Sequence, residues 1–357
     1  MTSPDRPRAY VIGLGLIGAS VALALAQVGW SVGGEDRDAD VLRAALDAGV
    51  VDGEPLDDTT TLVVIATPAS SVAALASEVL ARHDDEHLLV TDVAGVKGSI
   101  VAQVDDARFV GGHPMAGSEQ RGMAGARADM FRGCTWVLTP TARTQPTTYG
   151  RLHGILRDIG ANVVAVNAAD HDRLVALASH VPHLLAGALM NEAARAAEQD
   201  AVLLQLAAGG FRDMTRIAAG DPAIWPDVLF ENRAAVVQTL ASLETRLGAL
   251  RTALEIGDRA LIGEGLRTAS VARRQLPGRA FNSERLAYLR VAVSDQPGVL
   301  ASVTMAASEL LVNIYDIEIA HGIEGVGGTL LLAVDADQAA RLLEALSKLG
   351  FAVGLEP

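Results

Sequence analysis

The segment Gly111-Gly112-His113-Pro114-Met115-Ala116-Gly117-Ser118 sets an imidazole between a glycine pair and a proline, at the end of a short apolar run. A histidine placed there cannot bury its ring inside a helix. Near neutral pH, imidazole is the side chain best suited to take a proton from a carbinol. Spacing alone equally permits a turn histidine satisfied by backbone groups. Ser179-His180-Val181-Pro182-His183 puts two imidazoles three residues apart on one helix face, with a proline that should kink the helix. A metal would need a third ligand that nothing nearby supplies, so no metal site is expected. Gly209-Gly210-Phe211-Arg212-Asp213-Met214-Thr215-Arg216 joins a flexible turn to two guanidinium groups, which bind carboxylates in bidentate fashion. Trp225 reads equally as core or as pocket wall.

A second chemistry lies near the start of the chain. Gly13-Leu14-Gly15-Leu16-Ile17-Gly18 follows a short strand and opens a helix. The first glycine permits a tight turn, the second lets a pyrophosphate touch the backbone, and the third lets helix and strand approach. The helix amides from Leu16 and Ile17 onward then hold the phosphates. A second strand ends at Gly34-Glu35-Asp36. A carboxylate at Asp36 accepts from both adenosine ribose hydroxyls and repels a 2′-phosphate, which favours NAD over NADP; Arg37 beside it offsets part of that repulsion. Four loops should share the carboxyl edge of the sheet, at 13–18, 67–70 (with Thr67 and Pro68), 92–97 and 112–118, and ligands bind at that edge.

These loops need a scaffold. Strand-like runs at 9–12, 31–34, 62–66, 88–91 and 108–110 alternate with helical patterns at 19–28, 39–48, 71–81 and 99–104. Late strands at 136–139 and 162–166 flank a helix over 147–158. Such alternation predicts a Rossmann-like parallel sheet covered by helices on both faces. The stretches 171–198, 201–206, 224–249 and 251–274 read as helices without strands, an all-α domain rich in alanine and suited to packing on a twin subunit. A linker over 275–285 leads to a β-α-β-β-α-β tail, a ferredoxin-like α+β domain. The expected domains are therefore 1–168 for the dinucleotide, 169–280 for substrate and dimerisation, and 286–357 as a small third unit.

Bulk properties narrow the class. In 357 residues, half are apolar and a fifth charged, the balance of a globular protein. A net charge of −14 argues against a nucleic-acid partner, so an anionic substrate needs a local basic pocket. The single cysteine, Cys134, excludes an intramolecular disulfide and fits a reducing, cytoplasmic setting. The nearly uncharged run 10–30 has the length of a membrane anchor, but its glycines and the acids that follow read as strand, turn and helix, so no membrane partner is expected.

Together, 13–18, Asp36, Ala66-Thr67-Pro68, Gly112–Gly117, Ser179–His183, Gly209–Arg216 and Trp225 resemble the prephenate dehydrogenase (TyrA) family in order and spacing. The tail, with Asp295-Gln296-Pro297-Gly298 and Asn313, resembles an ACT domain. The resemblance implies NAD-dependent oxidative decarboxylation of prephenate to 4-hydroxyphenylpyruvate in tyrosine biosynthesis. It makes His113 the catalytic histidine and Arg216 the substrate-carboxylate arginine. Ser118, His183 and Asp213 would line the substrate pocket, and Trp225 would reach the partner's site in a homodimer. Tyrosine is the implied effector, held at Asp295, Gly298 and Asn313. One position departs from the family: Ala94-Gly95-Val96-Lys97 stands where Gly-Ser-Val-Lys is common. The missing hydroxyl leaves its place to an amide, a water or Ser118. Arogenate in place of prephenate, a generic hydroxyacid dehydrogenase, and an NAD-binding amino-acid sensor without turnover are the rival readings. The His113 loop and the 209–216 segment argue against the second, and intact His113 and Arg216 against the third.

Overall fold

The computed structural model describes residues 6–116, 122–200, 202–275, 286–293, 299–312, 314–321 and 328–355. Ser118, Asp295, Gly298 and Asn313 lie outside these described residues. The chain divides into two compact units, Met1–Asp258 and Arg259–Pro357.

The first unit opens with β1 (Arg8–Ile12), α1 (Leu16–Gln27), β2 (Ser31–Glu35), α2 (Ala39–Asp47), β3 (Thr60–Ile65), α3 (Ala69–Arg82), β4 (Leu89–Asp92), α4 (Gly98–Val101) and β5 (Phe109–Pro114). It continues through β6 (Thr135–Thr139), α5 (Pro146–Asp158) and β7 (Asn162–Ala165). The seven strands lie in the order β2-β1-β3-β4-β5-β6-β7. β1 is buried along its whole length and β3 at every position but one, as strands covered by helices on both faces must be. The run 10–30 is thus β1, a glycine turn and α1, whose residues from Gly18 to Leu25 are largely buried in the core. The expected parallel sheet holds from β1 to β5. β6 departs from it by pairing antiparallel with β5, from Gly111 opposite Thr139 to Pro114 opposite Trp136. A parallel return needs a long crossover, normally a helix. The described part of this connection carries only a 3₁₀ turn at Met123–Gly125.

The same unit then becomes helical: α6 (Ala168–Val175), a π-helical turn at Ala176–His180, α7 (Val181–Ala197) and α8 (Gly209–Thr215). A 3₁₀ turn at Arg216–Ala219, α9 (Trp225–Glu231) and α10 (Arg233–Ile256) complete it. Pro182, where a kink was expected, follows on this π-turn and lies in the first turn of α7. The helix read over 224–249 is two helices, broken at Asn232. The second runs on to Ile256, where Gly257 at φ +74° ends it in the left-handed cap that glycine adopts without penalty. The flexible turn read at 209–216 is mostly helix α8. Residues Ala168–Ala197 are apolar and long enough to cross a membrane by composition alone. They carry His171 and His180, both buried in the site described below. Leu206, Met214 and Phe230 of this helical half are 75%, 67% and 73% exposed, an apolar surface of the kind that marks a contact face.

The second unit holds α11 (Arg259–Arg274), β8 (Leu286–Val293), α12 (Val299–Glu309), β9 (Ile314–His321), β10 (Gly328–Asp335), α13 (Ala336–Lys348) and β11 (Ala352–Leu355). Its antiparallel sheet has the order β11-β8-β10-β9, with β11 at an edge as expected. Leu289, Val291, Leu330 and Leu332 of the sheet pack against Val303, Leu342 and Leu346 of the helices. The β-α-β-β-α-β pattern read from the tail is the pattern observed.

Candidate active site

The chain leaves β1 for β2 on one side and then crosses back to β3 on the other, so a crevice opens at their carboxyl ends. The glycine turn lies there. Gly13 has φ +94°, and a Cβ on it would fall 2.6 Å from the Ala66 carbonyl oxygen. A Cβ on Gly18 would overlap the Gly13 carbonyl oxygen, whereas one on Gly15 would meet open space. Two of the glycines therefore serve the protein's own packing, and the third clears the side from which a ligand approaches. Helix α1 begins at Leu16, and its first amides, including Ile17, have no partners within the helix. Asp36 is held beside them: Leu14 N–H donates to Oδ2 at 2.7 Å and Asp38 N–H to Oδ1 at 2.9 Å. Its remaining lone pairs are free to accept ribose hydroxyls. Arg37 is exposed next to it. Across the crevice, Thr67 accepts from Ser71 at 3.1 Å and Pro68 leads into α3. This cradle fits a dinucleotide.

The glycines can be told apart by experiment. Gly15→Ala should leave the melting temperature unchanged, because its φ of −67° suits any residue and the space is open. It should weaken NAD binding by about 100-fold, or about 2.7 kcal/mol, by displacing the pyrophosphate. Gly18→Ala should lower the melting temperature as well, since a backbone oxygen must move. Titration of NAD alongside thermal unfolding reads both, and equal melting losses in the two variants would contradict the assignment.

At the end of β5 the His113 ring is one member of a partly buried chain. His113 Nδ1 lies 2.8 Å from His171 Nε2, and His171 Nδ1 lies 2.8 Å from Asp172 Oδ1. Asp172 also accepts the Lys97 and Gly98 amides at 2.8 and 2.7 Å. Burial pushes this carboxyl up, but hydrogen bonds from His171 and from those amides outweigh it and hold Asp172 below the usual carboxylate range. His113 is pushed well below the ordinary imidazole value by burial first, then by His171, Lys97 and His180. It is therefore neutral at pH 7. Beneath it lies a fully buried ion pair, Lys97 with Asp92. Asp92 also accepts the Ala94 amide at 2.9 Å and the Gly112 amide at 3.1 Å, which ties the loop after β4 to the strand carrying His113.

The helical half closes over this edge. Asn232 donates to the Asp172 carbonyl at 2.8 Å and to His180 Nδ1 at 3.1 Å. The Trp225 indole stacks on His183 with centroids 3.6 Å apart and meets His180 edge-on at 6.4 Å. Burial, with help from His171 and against Asp172, takes His180 down to about 4, and burial also lowers His183. His113 Nε2, which has no hydrogen-bond partner among the described residues, faces Gly95: a Cβ there would stand 3.8 Å from Nε2 and 3.9 Å from the Val228 side chain, ordinary contacts that a serine could make. Asp227 of the same helix accepts from the Ser70 amide and hydroxyl at 3.3 and 3.1 Å, joining α9 to the cofactor-side loop.

Of the residues singled out by sequence, His113, His183 and Trp225 thus fall in one contiguous cluster. Arg216 opens the 3₁₀ turn that ends at Gly220, and Gly220 backs onto His183 and Trp225. The Arg216 side chain is exposed, as is Asp213 on α8. Sequence reasoning missed His171, Asp172, Asn232 and the role of Lys97. The one available signal was the adjacent His-Asp pair at the start of an otherwise apolar helical stretch.

A nucleotide cradle at the switch point of a parallel sheet, with a helical half returning imidazoles and an indole to the same edge, defines a dinucleotide-dependent oxidoreductase. Residues 21–165 match the family model for the prephenate dehydrogenase nucleotide-binding domain and residues 167–268 that for its dimerization domain. The prephenate dehydrogenase of Bacillus subtilis is 32% identical over 339 residues, covering 91% of each chain. The chain belongs to the prephenate dehydrogenase family and is an NAD-dependent oxidoreductase with a helical dimerisation domain. Among solved structures, prephenate dehydrogenase from Aquifex aeolicus, bound to hydroxyphenyl propionate and NAD⁺, superposes with a TM-score of 0.71 at 26% identity, covering 77% of this chain and 100% of that one. Synechocystis arogenate dehydrogenase gives 0.66 at 30% identity, covering 76% and 100%.

Proposed function

We propose that this enzyme oxidatively decarboxylates prephenate to 4-hydroxyphenylpyruvate, with His113 as the base. The observation that supports this reading is an imidazole at the carboxyl end of β5, held at Nδ1 by His171 and with Nε2 turned toward Gly95. Gly13–Gly18 and Asp36 would hold NAD⁺, which would supply the acceptor for the hydride leaving the ring carbon. His113 Nε2 accepts the proton of the ring hydroxyl as that carbon is oxidised. Departure of CO₂ leaves an aromatic ring, which makes the overall change strongly downhill. Arg216 anchors a substrate carboxylate, and Asp213 and Ser118 belong to the same pocket. The His183–Trp225 stack forms an apolar wall that orients the ring, and positioning of this kind carries much of the catalysis. A second copy covers the exposed apolar side chains of the helical half, giving a homodimer at work in the cytoplasm.

Arogenate differs from prephenate by an amine in place of a keto group, and the likeness to the Synechocystis enzyme keeps it as the second reading. Purified protein assayed for NADH formation decides. A kcat/KM at least tenfold higher on prephenate than on arogenate supports the proposal, and the reverse ratio overturns it.

The tail is read as an ACT-like regulatory unit that binds tyrosine at Asp295, Gly298 and Asn313. Its support is the β-α-β-β-α-β order with its own core. Deleting residues 286–357 should leave turnover intact and abolish inhibition by L-tyrosine. Undiminished inhibition in the truncated enzyme would move the effector to the catalytic pocket.

A further inference from the structure

We infer that His171 and Asp172 are positioning residues that lock His113 in the one tautomer able to act as a base. The inference rests on the reading of His113 as the proton acceptor and deepens it.

Donors and acceptors can be counted along one partly buried line. Asp172 is ionised and can only accept. Its Oδ1 stands 2.8 Å from His171 Nδ1, so that nitrogen must carry the proton. We take that to be the single proton of the His171 ring, so that its Nε2, 2.8 Å from His113 Nδ1, is an acceptor. The His113 Nδ1 must therefore be the donor, which leaves the lone pair of His113 on Nε2. That nitrogen is the one facing Gly95. Without the line, a neutral imidazole is free to carry its proton on Nε2, where it blocks the acceptor role.

Asp172 is well built for the task. It sits where two chain segments meet, fixed by the amides of Lys97 and Gly98, while Asn232 holds its own backbone carbonyl. The His113 and His171 rings cross at 71°, an edge-on geometry that points nitrogen at nitrogen instead of stacking the faces. When His113 takes the hydroxyl proton, Asp172 remains ionised and its charge, relayed through His171, stabilises the imidazolium. This is the logic by which a carboxylate orients a catalytic imidazole, here with a second imidazole interposed.

The test compares two replacements at position 171 in the full-length enzyme. His171→Phe keeps a ring of similar size but offers neither donor nor acceptor. His171→Gln is the poorer filler, yet its carboxamide can donate to Asp172 and accept from His113. The expected result is a kcat reduced about 100-fold in His171→Phe and at most about tenfold in His171→Gln, with KM for substrate and NAD within threefold of wild type. A packing role predicts the opposite order, so phenylalanine outperforming glutamine, or phenylalanine retaining more than a third of kcat, overturns the proposal. His113→Asn is assayed in parallel. If it stays active, the base assignment itself has failed. If it is dead while His171→Phe is normal, only the positioning role has failed. Should His171→Phe not fold, ¹⁵N spectra of histidine-labelled wild-type enzyme read the tautomer directly: protonated Nδ1 on His113 is expected, and a protonated Nε2 refutes the inference.

Discussion

His113→Asn is expected to lower kcat by about 1,000-fold while NAD affinity stays within threefold of wild type. Asparagine reaches a similar direction from the strand but has no lone pair basic enough to take a hydroxyl proton, and a positioned base contributes roughly 10²–10⁴-fold. The cofactor cradle draws its contacts from Gly13–Gly18, Asp36 and the Thr67 loop, none of which depends on this ring. Steady-state NADH formation and a binding titration separate the two effects, and a variant keeping a tenth of wild-type turnover would rule the role out. A pH profile adds a second check. Burial, followed by His171, Lys97 and His180, places the His113 imidazole well below its ordinary 6.5. A lowered value keeps the base form present further into acid, so kcat/KM should stay flat down through pH 6.5 and fall only below it. An acid limb centred at or above 6.5 would mean that a different group is titrating.

Much of this site was legible because its parts are short-range. The strand-turn-helix around Gly13–Gly18 and the acid ending β2 announce themselves by local periodicity and glycine placement, and Asp36 indeed sits against the Leu14 amide. His113 could be read from its glycine-proline neighbourhood. His171 and Asp172 could not, because their chemistry exists only when residues 58 positions apart meet across the sheet edge. In the sequence they are merely two of several polar residues in the first turns of a long helix. Likewise Gly95 stands out as a departure from the family pattern, but only the fold reveals that it opens onto the free nitrogen of His113. The antiparallel return of β6 was illegible for a different reason, since strand patterns carry no direction. The break at Asn232 went unseen because apolar periodicity runs on through both flanking helices, and what ends α9 there is the residue's tertiary pairing with Asp172 and His180.

Lys97→Met should cost about 3–5 kcal/mol, because it strands the Asp92 carboxylate where neither partner touches water. Two amides, of Ala94 and Gly112, still donate to Asp92, yet they carry only partial charge and cannot replace a full cation. Folded domains hold about 5–15 kcal/mol in all, so the melting temperature should drop by about 10 °C. The double variant Lys97→Met/Asp92→Asn removes the uncompensated charge and should recover at least half of that loss, as expected when a buried pair is neutralised on both sides. Failure of the double variant to recover would show that the lysine acts through its packing and not its charge. The same substitution reaches the chemistry. After burial, Lys97 is among the neighbours that hold His113 low, so its removal should let the acid limb of kcat/KM drift upward toward the ordinary imidazole range. The cation that pairs with the carboxylate anchoring the strand of His113 thereby also helps to keep the base deprotonated.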